Sequence, residues 1–560
     1  MQASRRLPGL LLALLVVSLS VITGLGQNLT GQLSGVVADQ SGAVVPGANI
    51  TLKNQLTGDT RRTVSNSEGV FAFAAVPTGE YTITIEATGF GKWERTGIRV
   101  SAGDRRTISD IELGASAIAG TVDVTATADQ LAPADSGEKS LTLTNKQIQN
   151  LSLVGRNATE LIKALPGFTP ITGLSNKPNF NGEAIGINGN GDGGQQSAIG
   201  NFSANGTRSD ALDIVADGAH VSDPGCNCAT PININPEMVE EFKVSTSNFG
   251  ADVSKGPVVL TAISKGGGRE FHGSAYLYAR HFGLNANDWI NNAQGRDRTT
   301  GKEIVPRPEN RYFFPGGNFG GPVLIPGTKF NKDRNKLFFF VGFEAYRQRL
   351  DTGLLRSRVP TEAMRNGDFS DAAYLAKLQS SQLNTAPAGN ANNGLTGIVN
   401  GRIPANLIDP TGRALINLLP LPNTDPGTNS FGYNYNQAIS LDQNMKQTLT
   451  RIDYNISEKT KFYARYNVQT ELQQFPVGLW WRNAGQVPYP TPVEAPNRSD
   501  SVSASLTHGR DALAYGSSTI SSISAHAFDM LIGHWRDRLD QPVASADYIE
   551  GLGAIRDRIG

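Results

Sequence analysis

The most constraining feature of this sequence is a set of short strands whose side chains alternate in polarity. From residue 271 to residue 280, apolar or small side chains occupy every second position, and His, Ser, Tyr and Arg occupy the others. Residues 337–348 and 462–468 repeat this pattern, with Glu344 and Arg465 on the polar faces. Strands of roughly ten residues with one apolar and one polar face are typical of transmembrane β-barrels. The pattern therefore predicts a membrane-spanning barrel and argues against most enzyme folds.

The connections between these strands predict which end of the barrel faces the cell interior. We expect strands near residues 271–280, 312–323, 336–348, 446–456, 461–469, 499–508 and 521–536. Three connections are short, at 324–335, 457–460 and 509–520, and three are long, at 281–311, 349–445 and 470–498. Short and long connections alternate along the chain, as they do in outer-membrane barrels with short periplasmic turns and long extracellular loops.

The N-terminus and the charge balance indicate an exported protein that does not bind nucleic acid. The 560 residues include 50 basic and 50 acidic side chains, so there is no basic surplus for a phosphate backbone. Arg5 and Arg6 precede an apolar run from Leu7 to Ile22, which predicts a signal peptide over residues 1–26. No later stretch approaches the roughly 18 apolar residues of a spanning helix. Export and a barrel pattern together predict the outer membrane.

Residues 29–114 predict a β-sandwich followed by a linker. Short alternating segments are separated by turn signals about every ten residues. The segments GVVADQSGAVVPGANITL and SNSEGVFAFAAVPTGEYTITIEATGF resemble the carboxypeptidase regulatory-like (transthyretin-like) domain, which implies a non-catalytic accessory module. Residues 115–137 are a polar linker with a β-prone stretch at 121–126. This stretch is either a plain linker or a strand that adds to the sheet edge of a partner.

Residues 138–268 mix short helical and extended segments and lead into the barrel domain, which begins at 269. The segments LSLVGRNATELIKALPG, FSANGTRSDALDIVADGAHVSDPG and NFGGPVLIPGTKFNKDRNKLFFFVGFEAYRQR are similar to those of TonB-dependent receptors, specifically their Oar-like branch. The resemblance implies an α+β plug inside a barrel of about 22 strands. The expected fold is therefore mainly β, with an N-terminal β-sandwich in the periplasm, a plug at 138–268, and the first part of a barrel at 269–560.

The resemblance also implies the partners and the completeness of the chain. It implies TonB with its inner-membrane motor proteins, outer-membrane lipid and an extracellular solute as partners, and neither a cofactor nor nucleic acid. The TonB-contact candidate comprises Thr121, Val122, Asp123, Val124, Thr125 and Ala126, although Asp123 stands where an uncharged residue is common. About seven strands cannot close around a plug without leaving unpaired backbone in lipid. We therefore expect an N-terminal fragment of a longer receptor.

Candidate structural residues of the plug lie in the same similar segments. They are Arg156, Asn205, Arg208, Asp217 and Gly218. We expect Arg208 and Asp217 to form ion pairs within the plug or with the barrel wall rather than to contact cargo, because the acidic residues around them occupy turn positions.

The other candidate residues are cysteines and tryptophans. Cys226 and Cys228 predict a strained disulfide or inert thiols in an oxidising compartment, and a metal site with His220 is the alternative. Trp480 and Trp481 in an outer loop are candidates for ligand stacking or for anchoring at the membrane interface.

These observations predict a transport function rather than an enzymatic one. The sequence contains neither a GxSxG elbow nor an HExxH motif, so a secreted enzyme finds no support. The leading hypothesis is TonB-dependent import of a scarce extracellular solute, with an oligosaccharide or a peptide favoured because the loop at 349–445 is long. The alternative is a surface adhesion or structural protein built on the same barrel.

Overall fold

The computed structural model describes most of the chain between residues 30 and 528. The described residues are 30–114, 122–123, 139–150, 156–158, 161, 167–170, 202–204, 206, 212–221, 232–247, 258–293, 295–296, 301, 303, 307–378, 399–428, 432–475, 493–508, 518–520 and 525–528. Within these residues, no helix has both the length and the apolar character required to cross a bilayer.

Strands form most of the regular structure. They are Thr30–Asp39 (β1), Asn49–Asn54 (β2), Thr60–Val64 (β3), Val70–Pro77 (β4), Gly79–Glu86 (β5), Trp93–Val100 (β6), Arg105–Leu113 (β7), Val122–Asp123 (β8), Lys139–Thr144 (β9), Phe168–Pro170 (β10), Phe202–Ala204 (β11), Leu212–Ala216 (β12), Ala219–His220 (β13), Val239–Ser247 (β14), Val258–Ser264 (β15), His272–His281 (β16), Arg311–Pro322 (β17), Leu337–Ser357 (β18), Tyr435–Asn455 (β19), Thr460–Phe475 (β20), Val493–His508 (β21), Ser518–Ile520 (β22) and Ala525–Phe528 (β23). The α-helices are Asn145–Asn150, Trp289–Ala293, Glu362–Arg365, Ala372–Lys377 and Pro410–Asn417, and the 3-10 helices are Phe282–Leu284, Ala405–Leu407 and Pro426–Thr428.

The first unit, residues 30–113, is the N-terminal domain and consists of two sheets packed face to face. One sheet has the strand order β4-β1-β7, and the other has the order β3-β2-β5-β6, to which β8 from the following segment adds at the β6 edge. Alternate side chains of each strand are buried, as in β1 and β5, so each sheet contributes one face to the core. The core side chains include Leu33, Val37, Ile50, Leu52, Phe71, Phe73, Tyr81, Ile83, Ile85 and Trp93.

The second unit, residues 139–264, is called the plug here. Its main sheet has the order β13-β12-β15-β14-β9, in which β12 and β15 are parallel and the other pairs are antiparallel. Strands β10 and β11 form a separate antiparallel pair. Phe242, Val244 and Leu260 pack with the helix residue Ile148 in an apolar cluster on one face of the main sheet. The same alternation along β14 places Glu241 and Lys243 on the opposite face.

The third unit, called the wall here, is an antiparallel sheet in the order β16-β17-β18-β19-β20-β21-β22, with β23 also paired to β21. Each strand from β16 to β21 pairs with the next along the chain. On β18, Phe338, Phe340, Glu344, Tyr346 and Gln348 are buried, whereas side chains at alternating positions are exposed. This arrangement confirms the predicted alternation, with polar and aromatic side chains on the inner face.

The outer face of the wall is apolar and aromatic near the short turns. Phe271 immediately precedes β16, and Phe319 and Phe339 lie on β17 and β18; their ring centroids are 5.7–6.5 Å apart. Phe271 and Phe319 are each about half exposed. An aromatic belt at this height is typical of the interface between a membrane barrel and the lipid headgroups.

The strands of the wall begin close to the predicted positions but extend further on the side of the long loops. The connections there run over residues 282–310, 358–434 and 476–492, whereas 323–336 and 456–459 are the short turns. We expected β18 to end at 348 and β19 to begin at 446; they continue to Ser357 and back to Tyr435. Backbone pairing continues beyond the point where alternation in polarity stops, because a strand that has left the membrane no longer needs an apolar face. Of the predicted strand at 521–536, the structure describes β23 at 525–528, whereas β22 at 518–520 lies in the connection predicted at 509–520; residues beyond 528 lie outside the described part of the chain.

A glycine-rich connection at 265–268 holds the plug against the wall. A Cβ atom on Gly267 would lie 2.9 Å from the carbonyl oxygen of Gly321 and 2.9 Å from Cβ of Phe338. Residues with larger side chains would therefore push the connection away from β17 and β18.

Candidate functional site at the plug–wall interface

One buried contact between plug and wall is built on the hairpin that joins β12 and β13. Ala216 pairs with Ala219, which leaves Asp217 and Gly218 as a two-residue turn with φ values of 46° and 81°. Positive φ at both positions is characteristic of a type I′ turn, for which Asp-Gly is a preferred sequence. The turn therefore presents both the carboxylate and the main-chain carbonyl of Asp217 to the wall.

The carboxylate of Asp217 is buried between two arginines of the wall. Its Oδ2 lies 2.8 Å from Nη1 of Arg465, and its Oδ1 lies 3.6 Å from Nη1 of Arg451. Oδ1 also accepts a hydrogen bond of 2.9 Å from the Ser264 amide. The carbonyl oxygen of Asp217 accepts hydrogen bonds from the hydroxyls of Tyr463 and Ser503. This single turn thus contacts three strands of the wall, β19, β20 and β21.

A second ion-pair cluster surrounds Arg156 of the plug, whose side chain is buried. Its Nη2 lies 3.1 Å from Oε2 of Glu344 on the wall and 3.5 Å from Oε1 of Glu237 in the plug. The guanidinium stands 4.0 Å from the ring centroid of Tyr278, whose hydroxyl donates to Glu237 at 3.0 Å. Burial opposes the positive charge, but Glu344, Tyr276 and Glu237 together outweigh this effect, so the pKa of Arg156 is raised. Arg156 is therefore a permanent cation between two acids.

Neutral contacts fill the space between the two charged clusters. The main-chain N–H of Asn233 in the plug donates a hydrogen bond of 2.7 Å to Oε1 of Gln469. Its main-chain carbonyl oxygen accepts a hydrogen bond of 2.6 Å from Nε2 of Gln447. Among the described residues, the buried apolar contacts across the interface include the cluster of Met238, Phe340 and Leu449. Strands β16 to β21 all contact the plug, so the wall curves around it.

The TonB-contact candidate lies beside the N-terminal domain. The backbone of Val122 and Asp123 forms strand β8, which pairs in parallel with Trp93 and Glu94 of β6. Strand β8 is therefore the outermost strand of that sheet. Thr121, Val124, Thr125 and Ala126 lie outside the described residues.

The structure places some of the other sequence candidates and omits the rest. Arg156, Asp217 and Gly218 lie at the plug–wall interface, in two separate clusters. His220 is on β13, with its Nδ1 2.9 Å from Oδ1 of Asp213. The candidates outside the described residues are Asn205, Arg208, Cys226, Cys228, Trp480 and Trp481. Within the described part of the chain, no three His, Cys, Asp or Glu side chains come together as a metal site would require.

Four residues of these clusters were not singled out as partners from the sequence. They are Glu237, Glu344, Arg451 and Arg465. The available signal was a charged side chain on the polar face of a barrel strand, which applies to Glu344 and Arg465. A charge at such a position needs a partner in the lumen, because an unpaired buried charge is strongly unfavourable.

Comparison with known families identifies two domains. Residues 263–510 match the model described as outer membrane beta barrel domain. Residues 32–114 match the carboxypeptidase regulatory-like domain. The fold thus defines an outer-membrane barrel protein with an internal plug. The chain therefore contains a carboxypeptidase regulatory-like domain followed by an outer membrane β-barrel domain, and it is located in the outer membrane.

Several solved structures are similar to this chain. The outer membrane transporter YddB from Escherichia coli is 9% identical over 66% of this chain and 37% of that one, with a TM-score of 0.37. The ferric enterobactin receptor PfeA from Pseudomonas aeruginosa is 12% identical over 68% of this chain and 40% of that one, with a TM-score of 0.33. BauA, the ferric preacinetobactin receptor from Acinetobacter baumannii, is 13% identical over 67% of this chain and 44% of that one, with a TM-score of 0.28. The chain spans less than half the length of each of these proteins. No curated protein matches the chain.

Proposed function

We propose that the protein is a TonB-dependent outer-membrane receptor that imports a scarce extracellular solute. The observation that carries this proposal is the polar character of the plug–wall contact. Buried ion pairs contribute little net stability compared with apolar packing, because their charges regain hydration when they separate. A plug held mainly by Asp217, Arg156 and their partners therefore fits the wall closely and can still leave it under force.

The position of the segment 121–126 supports the same mechanism. Extended segments bind partner proteins by adding a strand to a sheet edge, where backbone hydrogen bonds provide the affinity. Strand β8 already forms such a pair within the chain. Downstream of it, the chain reaches β9, the edge strand of the plug sheet. Traction on residues 121–126 would therefore reach the plug at an edge strand, which has only one neighbour to release.

The lining of the wall supports an uncharged, hydrogen-bonding solute such as an oligosaccharide or a peptide. Gln348, Gln443, Gln447 and Gln469 lie on the inner faces of β18, β19 and β20. Carboxamides both donate and accept hydrogen bonds without carrying charge, which suits hydroxyl groups and peptide units. Gln348 is buried, and its amide atoms have no hydrogen-bond partner in the described part of the protein.

The central experiment replaces residues 121–126 of the full-length protein with a Gly/Ser sequence of equal length. Uptake of labelled oligosaccharides and peptides is measured in hosts with and without TonB. We expect the replacement to abolish uptake to the level of the TonB-deficient host while binding to purified protein is unchanged. A Gly/Ser replacement of residues 127–132 is the matched control and should transport normally. Normal uptake by the 121–126 variant would refute the proposal.

A second candidate function is surface adhesion, which the folded, described parts of the loop between β18 and β19 (358–378, 399–428 and 432–434) favour. Asn434 is fully buried in this loop, and its side chain exchanges two hydrogen bonds of 2.8 Å with the backbone of Val359. Met364, Leu375 and Leu378 form a small apolar core beneath. Adhesion would depend on this loop and would be insensitive to the 121–126 replacement, so cell-attachment assays on the same variants separate the two functions.

A further inference from the structure

The N-terminal domain is docked onto the plug through a reciprocal set of polar contacts. Glu241 of β14 accepts a hydrogen bond of 2.8 Å from the Ser101 hydroxyl and lies 3.4 Å from Nη2 of Arg99. Lys243, two residues further on, donates to the carbonyl oxygen of Ala102 at 2.8 Å and lies 3.5 Å from Oδ1 of Asp104. An acid and a base of the plug thus each meet an opposite charge on the domain.

These contacts are buried. Glu241, Lys243 and Ser101 are 2%, 4% and 3% exposed. Burial raises the pKa of Glu241, against the opposing influence of Arg99 and Ser101. The N-terminal domain therefore covers the face of the plug sheet that carries Glu241 and Lys243 and shields both charges from water.

The N-terminal domain also contacts the wall, at the end of the wall where the short turns lie. Asp59 forms an ion pair with Lys461 at the start of β20, and Arg62 forms one with Glu458 at 2.8 Å. The Arg269 amide donates to the carbonyl oxygen of Leu56 at 3.1 Å. Gly58 has a φ of 69°, and a Cβ atom there would lie 2.7 Å from Cδ of Arg269, so a larger residue would strain the backbone and displace the Arg269 side chain.

One strand connects this docking surface to the TonB-contact candidate. Strand β6 pairs with Val122 at Trp93, its first residue, and carries Arg99 near its other end. A force applied at Val122 is therefore applied to the same strand whose far end contacts Glu241. The domain bridges the plug, the wall and the segment 121–126.

We propose that the N-terminal domain is a latch that keeps the plug in the wall, and that the plug moves only after this domain undocks. The inference rests on the proposed function, because a latch matters only if the plug has to move. While the domain is docked, it covers the plug from the short-turn side and fixes β14. Traction through β6 separates Arg99 and Ser101 from Glu241 first, and β14 is then free to open.

A reversible crosslink between the domain and the wall tests the latch. Arg62→Cys and Glu458→Cys are introduced into the full-length protein without its native cysteines, and a short, reducible bismaleimide joins them. Both side chains are more than half exposed, so the reagent can reach them. Lys53→Cys with Thr60→Cys, a pair within the domain on β2 and β3, is the matched control. Hydrogen exchange of β9 and β14 is the primary measurement.

The latch predicts that the 62–458 crosslink slows exchange of β9 and β14 by about tenfold or more, whereas the control crosslink does not change it. Conversely, Glu241→Gln combined with Lys243→Met should raise exchange in both strands by about tenfold. Unchanged exchange in the crosslinked protein would overturn the latch whether or not the protein imports a solute.

Import measured in the same protein separates the latch from the proposed function. We expect the 62–458 crosslink to block TonB-dependent uptake and a reducing agent to restore it. Uptake that persists at the same rate in the crosslinked form would overturn the latch alone. Absence of TonB-dependent uptake in the reduced form would contradict the proposed function, and the exchange measurement would still decide the latch.

Discussion

Replacing Asp217 with alanine should loosen the plug more than any other single change in the charged clusters. The substitution leaves Arg465 buried, with a side chain only 2% exposed, and among the described residues its remaining hydrogen-bond partner is the neutral Ser501 hydroxyl at 2.8 Å. Arg451 suffers less, because Asp453 still pairs with it at 2.8 Å. Removal of one partner from a buried pair costs about 3–5 kcal/mol, and loss of the acceptor for the Ser264 amide adds about 1 kcal/mol. We therefore expect a loss of about 5 kcal/mol.

Hydrogen exchange of β12 and β15 measures this loss directly. Each 1.4 kcal/mol corresponds to about a tenfold change in an opening equilibrium, so a loss of about 5 kcal/mol should accelerate exchange by roughly three to four orders of magnitude. Asp217→Asn keeps an acceptor for Ser264 and should have a smaller effect. Arg296→Ala removes an exposed pair with Glu303 in an outer loop and serves as the control, with almost no change expected.

A double variant distinguishes the effect of the unpaired Arg465 charge from that of a general packing defect. Asp217→Ala combined with Arg465→Met removes the unpaired cation and should exchange more slowly than Asp217→Ala alone. The reasoning fails if Asp217→Ala exchanges within tenfold of the unsubstituted protein, or if the double variant is no better than the single one.

Three further predictions concern the other units. Burial raises the pKa of Tyr81 to about 12, and this residue is the single tyrosine of residues 30–114, so absorbance titration of that domain should give a midpoint near 12 rather than 10. Since the folded domain holds this proton more tightly than the unfolded chain, stability that is complete below pH 10 should fall by roughly 3 kcal/mol as the pH rises through 12, and Tyr81→Phe should remove this loss. Asn434→Ala should weaken the folded loop by about 2–3 kcal/mol, measured as faster proteolysis within residues 358–434. Arg156→Gln should destabilise the plug by about 3–5 kcal/mol and Arg156→Lys by less, because lysine keeps the charge near Glu344; thermal unfolding in detergent checks the order.

The architecture of the wall was accessible from the sequence because its pattern is local. The alternation of apolar and polar side chains along β18 and β20 indicates that one face of each strand meets lipid and the other meets the barrel interior. The length of each connection indicates the side of the membrane on which it lies. The strand ends on the outer side were missed because polar residues outside the membrane carry no alternation. The Asp-Gly turn at Asp217 is also a local signal.

The partners across the plug–wall and domain–plug contacts were not accessible in the same way. Asp217 and Arg465 are 248 positions apart, and Arg156 and Glu344 are 188 apart. A charge on the inner face of a strand predicts that a partner exists, but not which residue of the plug provides it. The docking of Glu241 against Ser101 joins two domains through side chains whose local patterns are those of ordinary exposed strands.

The central claim is that β18 presents one face to lipid and the other to an enclosed plug. Spin labels placed one at a time at Val341, Phe343, Ala345, Tyr346 and Gln348, in the lipid-reconstituted protein without native cysteines, test it most directly. Labels at the first three positions should collide readily with oxygen and rarely with a water-soluble nickel chelate, whereas labels at Tyr346 and Gln348 should be shielded from both. Equal accessibility at all five positions, or ready access of the nickel chelate to the first three, would contradict the account.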